Sequence, residues 1–235
     1  MANLVQLKML EDLCGLLLVD KPVGIAFATV VKAVKRKFNL VKVGHGGSLD
    51  AMASGLFVLL LGDANKFADR LMGADRVYEG KLRFGLKTDT GDVYGRPEGE
   101  ASAATPDAAK LAAALPEFRG DVFQVEPRFC SIRKEGTAVY EIADTGEHKQ
   151  FLAHVYRWEV EPDGRFSLRA SKGVIPRVLA RDLGESLGCG ASLEALRRTA
   201  VGPLDVADAI PFERLLETEM KDFAACVTPL ARALQ

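Results

Sequence analysis

The sequence predicts an α+β fold, with a largely antiparallel mixed sheet flanked by helices. Strand-like and helix-like segments follow one another without the regular β-α-β alternation that is typical of parallel sheets. Residues Val77–Leu86 alternate apolar and charged side chains with a period of two, as a half-buried strand does. Val155–Val160 and Arg165–Ala170 fit a β-hairpin, because Pro162-Asp163-Gly164 supplies a turn between them.

The N-terminal third of the chain predicts a strand, two helices and a glycine-rich loop. The apolar run Gly15–Val19 is followed by the turn signal Asp20–Gly24 and therefore fits a strand. Apolar and basic residues lie on opposite sides of a helix predicted over Phe27–Phe38. The remaining segments are a glycine-rich loop, a mostly buried segment and a helix, predicted over Gly44–Asp50, Ala51–Leu61 and Ala64–Met72.

Three further helix starts are visible later in the chain. Thr105 is predicted to cap a helix that reaches Leu115, because Pro106 and an acidic residue follow it. Two more helices are predicted, over Pro176–Leu187 and, capped by Ser192, over Ser192–Thr199.

The interval Phe118–Phe151 has mixed polarity and no clear hydrophobic period. We expect a mobile loop there, with one short helix near Val139.

Composition excludes several classes of protein. The chain has 235 residues, of which 48% are hydrophobic, so it can bury a core and is not intrinsically disordered. Its four cysteines are widely scattered and it has only three histidines, which predicts neither disulfides nor a zinc site. The charged N-terminus does not resemble a signal peptide, and the longest uncharged stretch, Ala51–Gly62, is too short to span a bilayer. We expect a cytoplasmic protein without a membrane partner.

The charge is unevenly distributed along the chain. The formal net charge is −1, yet Lys21–Leu49 holds six basic and no acidic residues, whereas Asp205–Asp222 holds six acidic and two basic ones. A basic stretch of this kind is either a solvated helix face or a surface that binds an anion such as a nucleic-acid backbone.

Seven motifs in consistent order resemble the TruB-type tRNA pseudouridine synthases. The resemblance extends from about residue 15 to residue 204, and the G-H-G-G-S-L-D loop is its most specific part. In chain order the motifs are G-L-L-L-V-D-K-P-V-G (15–24), V-G-H-G-G-S-L-D (43–50), A-S-G (53–55), R-V-Y-E-G (76–80), G-L-K-T-D-T-G-D (85–92), S-K-G (171–173) with Arg177, and D-L-G-E (182–185) leading to L-R-R (196–198).

The resemblance implies an enzyme that isomerises uridine-55 in the T loop of tRNA, without a cofactor. It identifies Asp50 as the nucleophile; a role as N-cap of a following helix is the alternative. It identifies Arg177 as the cation that keeps a desolvated carboxylate ionised; a surface arginine beside Arg181 is the alternative. It identifies Tyr78 as the residue that packs on the target base and moves a proton at C5. Tyr78 as a core tyrosine is the alternative.

The family also suggests which residues hold the RNA. His45 matches the position that engages the remodelled T loop, and the segment 118–151 corresponds to a thumb that grips RNA. The candidates for contacts to the RNA backbone are Lys21, Lys35, Arg36, Lys37, Arg128 and Lys172.

The chain departs from the family pattern at several positions. Gly46 replaces a threonine, Ala51 replaces a proline, and Ile175 removes the hydroxyl of an active-site tyrosine. These differences leave Asp50 and Tyr78 in place but bear on rate and substrate choice.

We expect residues 1–204 to form the catalytic domain and residues 205–235 a short C-terminal extension, without a complete C-terminal RNA-binding domain. The predicted partner is tRNA, bound by a monomer without guide RNA or protein partner. Two alternatives stay open: a relative that modifies another RNA, and a non-catalytic RNA-binding or RNA-folding protein on the same scaffold.

Overall fold

The computed structural model describes residues 13–100, 105–125, 129–134, 137–142 and 150–233, with backbone alone for 129–134, 137–142 and 232–233. The chain divides into two compact units. Unit 1 consists of Met1–Ala74 and Arg197–Gln235, and unit 2 of Asp75–Leu196. The predicted boundary between residues 204 and 205 therefore falls inside unit 1.

Unit 1 is built mainly around two adjacent strands. Its strands are β1 (Gly15–Lys21), β2 (Val43–His45), β3 (Ala53–Leu61), β11 (Leu204–Asp205), β12 (Ile210–Pro211) and β13 (Val227–Thr228). Its helices are α1 (Phe27–Lys37), α2 (Ala68–Gly73) and α5 (Phe212–Glu217), with 3₁₀ turns at Gly62–Phe67, Val206–Asp208, Met220–Cys226 and Leu230–Ala233. Strand β3 pairs antiparallel with β1, with Gly15 opposite Leu61 and Lys21 opposite Gly55.

Both faces of β1 and β3 are buried, which explains why their sequences are almost continuously apolar. One face belongs to a cluster that includes residues of the 3₁₀ turn and α2. Its buried members are Leu16, Leu18, Leu56, Val58, Leu60, Ala64, Leu71, Val201 and Leu204. The tightly packed β1 and β3 give the loop that ends at Asp50 a rigid base.

The residues after 204 cover the outer edge of β1. Strand β12 pairs parallel with Val19 and Asp20, and β13 pairs antiparallel with Leu16 and Leu17. The ring of Phe223 stacks on Phe38 at 3.8 Å, beside the basic end of α1. The acidic segment and the basic helix are therefore neighbours within unit 1.

Unit 2 is an antiparallel sheet with helices. Its elements are β4 (Arg76–Phe84), α3 (Ala108–Ala114), β5 (Gly120–Val125), β6 (Phe129–Lys134), β7 (Thr137–Ile142), β8 (Gln150–Val160), β9 (Arg165–Ala170) and α4 (Pro176–Ser186), with a 3₁₀ turn at Leu115–Phe118. Strand β9 pairs antiparallel with both β4 and β8, and β8 pairs antiparallel with β5. The last strand, β10 (Ala191–Val201), contributes residues to both units.

The predicted α+β class, the period-two strand and the hairpin are confirmed. In β4, Tyr78, Leu82 and Phe84 are buried while Glu79 and Arg83 are exposed, as the alternation predicts. The helices predicted to start at residues 27 and 176 do so.

Three sequence predictions of local structure are wrong, and a fourth, the helix over 64–72, is right only from Ala68 onward. The segment 192–199 is part of strand β10 and not a helix, since Ser192 donates its hydroxyl to Leu86 O at 2.9 Å instead of capping. The interval 118–151 contains β5, β6, β7 and the start of β8, so the expectation of a loop with a short helix is wrong; Val139 lies in β7, which pairs with β6. The helix after residue 105 is capped by Asp107, whose carboxylate accepts from Ala109 N at 2.7 Å. The helix predicted from residue 64 is a 3₁₀ turn followed by α2.

Candidate active site

Asp50 ends the glycine-rich loop of unit 1 and precedes a turn into β3. Its carbonyl oxygen accepts from Ala53 N at 3.1 Å, and Ala51 O accepts from Gly24 N at 2.8 Å. Leu49 and Met52 on either side are buried. No helix follows Asp50, so the alternative role as a helix N-cap is wrong. Its flanking residues anchor the backbone of the predicted nucleophile.

Lys21 lies inside unit 1, close to Asp50. Its side chain is fully buried, and Nζ donates to Pro22 O and Ile25 O, both at 2.8 Å. A longer contact of 3.5 Å reaches Ala51 O. Burial lowers the pKa of Lys21 to about 8, an effect that Asp50 opposes and Arg198 increases. This placement argues against the predicted RNA-backbone contact, because the ammonium group is enclosed by carbonyl oxygens.

A buried arginine fixes the loop from the other side. Arg198 is 1% exposed, and it donates from Nε to Leu56 O at 2.8 Å and from Nη1 to Ser48 O at 2.9 Å. One guanidinium thus bridges the loop before Asp50 and the strand after it. Gly55, at φ 101°, permits the close approach to the Arg198 backbone that this requires. Arg198 ends the L-R-R motif (196–198), which by itself predicts no such role.

The pKa of Lys21 predicts how stability changes with pH. Between about pH 8 and 10.5, the ordinary pKa of a lysine side chain, the unfolded chain binds more protons at Lys21 than the folded one. The free energy of unfolding should therefore rise with pH in that window, relative to Lys21→Met, by at most about 1.4 kcal/mol per pH unit. Urea denaturation of both proteins at a series of pH values measures this difference.

Lys66→Met serves as the control for that measurement. Lys66 is exposed, and its hydrogen bond to Asp63 raises its pKa above the ordinary 10.5, so its contribution to stability is lost only above that pH. Between about pH 8 and 10.5 the stability difference between wild type and Lys66→Met should therefore stay constant, while the difference between wild type and Lys21→Met rises. If the stability difference between wild type and Lys21→Met falls between about pH 8 and 10.5, the lowered pKa of Lys21 is contradicted.

His45 lies in β2 with its ring against aromatic side chains. The ring centroid is 5.2 Å from that of Phe27 and 5.9 Å from that of Phe57. Gly47 N donates to His45 Nδ1 at 3.2 Å, so the proton of the neutral ring is on Nε2. The loop thus holds His45 in one orientation, five residues before Asp50.

Tyr78 and Arg177 belong to unit 2. Tyr78 is 5% exposed and lies opposite Leu168 of β9. Arg177 is 4% exposed, in the first turn of α4, and donates from Nη1 to Thr90 O at 2.7 Å. Its burial makes the alternative role as a surface arginine wrong.

A buried carboxylate, Asp92, lies in the loop that contacts Arg177. Asp92 is 1% exposed, and its Oδ1 accepts from Thr90 Oγ1 and Tyr94 N, both at 3.0 Å. Within the described part of the chain, Oδ2 of Asp92 has no hydrogen-bond partner. Gly91, at φ 75°, allows this loop to pack on the Arg177 backbone. Asp92 closes the T-D-T-G-D run, a pattern that by itself predicts no role for this carboxylate.

The residues predicted to contact RNA differ in their exposure to solvent. Lys35, Arg36, Lys37 and Lys172 are exposed, whereas Lys21 is buried. Arg128 lies outside the described residues. The pKa of Glu219 is lowered chiefly by its hydrogen bond to Lys221 and to a smaller extent by the charge of Lys37 in α1. The acidic segment therefore offsets some of the positive charge of α1.

Within the described residues, no group of His, Cys, Asp and Glu side chains could hold a metal ion. No helix in the described ranges is long and apolar enough to cross a bilayer.

Comparison with known proteins identifies the family. A model described as TruB family pseudouridylate synthase (N terminal domain) matches residues 35–160. The chain belongs to the TruB pseudouridylate synthase family. A second model, tRNA pseudouridylate synthase B C-terminal domain, matches residues 177–235 and so includes the predicted C-terminal extension.

Relatives within the TruB family extend over most of the chain. A protein of Burkholderia pseudomallei (strain 668) named tRNA pseudouridine synthase B is 39% identical over 208 residues, which are 86% of this chain and 68% of the relative. A protein of the same name from Azoarcus sp. (strain BH72) is also 39% identical over 208 residues, covering 86% of this chain and 69% of its own length. TruB proteins are isomerases, and this chain is a member of that enzyme family.

Solved structures share the fold. A chain of a Cbf5-Nop10-Gar1 complex matches with a TM-score of 0.71 and 24% identity, over 93% of this chain and 61% of that one. A chain of an archaeal box H/ACA sRNP Nop10-Cbf5 complex matches with a TM-score of 0.69 and 22% identity, over 99% and 64%. This TruB-family chain therefore spans less than two thirds of the length of those chains.

Proposed function

We propose that this protein isomerises uridine-55 in the T loop of tRNA to pseudouridine, with Asp50 as the nucleophile. The observation that carries the proposal is the structure of the loop that ends at Asp50. Arg198 donates hydrogen bonds both to this loop and to β3, and Gly24 N in the 22–25 turn donates to Ala51 O. The relatives named tRNA pseudouridine synthase B support the choice of substrate.

The reaction exchanges one bond for another without redox change. The N1–C1′ glycosidic bond breaks, the uracil turns, and C5 forms a bond to C1′. The hydrogen on C5 leaves as a proton and N1 gains one, so atoms and electrons balance. Asp50 supplies its carboxylate to the sugar C1′ or to C6 of the base and is released at the end.

Arg177 and Tyr78 complete the proposed chemistry. A guanidinium stays charged in a buried site and can keep the Asp50 carboxylate ionised. Tyr78 offers a ring for packing on the uracil and a hydroxyl that can accept the C5 proton.

Base flipping requires contacts that offset its cost. Extruding a stacked uridine costs a few kcal/mol of free energy, which favourable contacts between protein and RNA must offset. We assign His45 to the T loop, and Lys35, Arg36, Lys37 and Lys172, which are exposed, to the RNA backbone. We infer that Arg128 and the thumb segment 118–151 add to this grip. A monomer in the cytoplasm, without guide RNA or protein partner, suffices for these steps.

Carbodiimide modification followed by primer extension tests the function. Purified protein incubated with a T-arm transcript should give one new reverse-transcription stop, next to position 55. A transcript with cytidine at that position is the control and should give none. Absence of any stop on the native transcript would contradict the proposal.

Ile175 favours one alternative, a non-catalytic RNA-binding protein on this scaffold. Its side chain lacks the hydroxyl that the family has at this position. Tight tRNA binding with no product after prolonged incubation would support it. Pseudouridine in another RNA, but not in tRNA, would instead support a relative with a different substrate.

The proposed RNA surface predicts salt-sensitive binding. The logarithm of the tRNA association constant should fall linearly with the logarithm of salt concentration. Lys35→Ala should reduce that slope by about 1 if Lys35 contacts a phosphate. Filter binding at several salt concentrations measures it, and Lys66→Ala, an exposed lysine paired with Asp63, is the control. An affinity unchanged from low to high salt would contradict the prediction.

A further inference from the structure

Gln124 is a buried polar residue of β5 whose side-chain amide forms two hydrogen bonds to the backbone of Ile175. Its side chain is 1% exposed. Oε1 accepts from Ile175 N at 2.9 Å, and Nε2 donates to Ile175 O at 3.2 Å. The carboxamide thus reproduces the two hydrogen bonds of a strand pair, and both partners belong to unit 2.

The start of α4 depends on this contact. Ile175 is the N-cap residue, and no side-chain hydrogen bond caps the helix there. Pro176 at the first helical position has no N–H. Ile175 O already accepts from Val178 N at 3.0 Å and Leu179 N at 3.2 Å, so its orientation sets the direction of the first turn. Gln124 fixes that orientation from the neighbouring strand.

Arg177 is the second residue of that turn. Its backbone position follows from the helix start, and its side chain is held separately by Thr90 O at 2.7 Å. A shift of the helix start would move the guanidinium or break this bond. Catalytic geometry is sensitive to displacements of this kind, which change rate more than binding.

We propose that Gln124 is a positioning residue that orients Arg177 through the backbone of Ile175. The inference rests on the proposed function, since it takes the role of Arg177 from there. The hydrogen bonds go to the backbone of residue 175, so they do not depend on the side chain by which this protein departs from its family. Leucine cannot make either bond, and an ionised glutamate can only accept.

Gln124→Glu gives a readout that depends on the donor. A protonated carboxylic acid can donate to Ile175 O and accept from Ile175 N, whereas the carboxylate places a negative oxygen against that carbonyl. The single-turnover rate, relative to wild type at each pH, should approach the wild-type value at acidic pH and fall by about tenfold or more as the pH rises. The tRNA dissociation constant should change little. A rate ratio that is constant with pH would overturn the proposal.

A double-mutant cycle separates positioning from general stability. Gln124→Leu should slow single turnover by about tenfold or more in wild type, but by less than about twofold in the Arg177→Lys background. If Gln124→Leu slows single turnover by the same factor in both backgrounds, the proposal is overturned. Ser192→Ala, which removes a buried hydroxyl bond to Leu86 O in the same unit, should slow both backgrounds equally or not at all. All rates are measured well below the melting temperature of each variant.

The outcomes distinguish this inference from the proposed function. Turnover by wild type that Asp50→Asn abolishes, together with additive effects of Gln124→Leu and Arg177→Lys, would refute only the positioning role. A wild-type protein without turnover would refute the function and, with it, the role of Arg177 that the inference needs.

Discussion

Asp50→Asn should lower the single-turnover rate of pseudouridine formation by about 10³-fold or more. The amide has nearly the shape of the carboxylate but is a poor nucleophile. The backbone hydrogen bonds around residues 50 and 51 do not involve the side chain, so the loop should keep its structure. The tRNA dissociation constant should stay within a few-fold of wild type. Rapid-quench assays and filter binding measure the two quantities.

Asp63→Asn is the matched control for this substitution. Asp63 is also in unit 1, but it is exposed and paired with Lys66. The same chemical change there should leave the rate unaltered. An Asp50→Asn protein with full activity would contradict the nucleophilic role, and one that has lost tRNA affinity would show that Asp50 acts in binding.

Arg177→Met should have the second-largest effect, with a rate loss of about 10²-fold or more and lower stability. The substitution removes a buried charge and leaves Thr90 O without the donor it now has at 2.7 Å. Thr90 O is partly buried, and a carbonyl that loses its donor without full access to water costs up to about 1–3 kcal/mol of folding free energy. Single-turnover kinetics and urea denaturation measure the two effects.

Arg177→Lys separates charge from geometry. Lysine keeps the positive charge but lacks the planar fork of the guanidinium, so partial activity is expected. Arg181→Met, in the same helix beside Asp182, is the control and should retain activity. Full activity of Arg177→Met would contradict the proposed support of Asp50 by this arginine.

Local patterns predicted most elements of the fold, and long-range pairing explains where they failed. The alternation around Tyr78 and the helix starts at Phe27 and Pro176 depend on neighbouring residues, and they are confirmed. The segment 191–201 is rich in Leu, Ala, Glu and Arg, which favour helices, yet it forms β10 because adjacent strands of the sheet pair with it.

The candidate site was predicted only in part. The motifs led to Asp50, Tyr78 and Arg177 through a family resemblance, and their roles stay predictions. The L-R-R motif (196–198) contains Arg198 but did not predict what this residue does, and Gln124 lies outside the motifs. The partners of both residues are backbone carbonyls and amides distant in the chain. Hydrogen bonds to the backbone leave no trace in side-chain patterns.

The distribution of charge on the surface could not be predicted from the sequence alone. The sequence showed a basic stretch and an acidic one far apart along the chain. The structure places them side by side in unit 1, with Phe223 stacked on Phe38. It also removes Lys21 from the surface charge, because that lysine is buried. The surface available to RNA is thus less positive than the count suggests.

Tritium release from tRNA labelled at C5 of uridine tests the central claim most directly. Joining C5 to C1′ must expel the hydrogen at C5, so wild-type protein should release tritium from a tRNA labelled at uridine-55. Asp50→Asn should release none above background over the same time. Wild-type protein that binds this tRNA and releases no tritium would contradict the account.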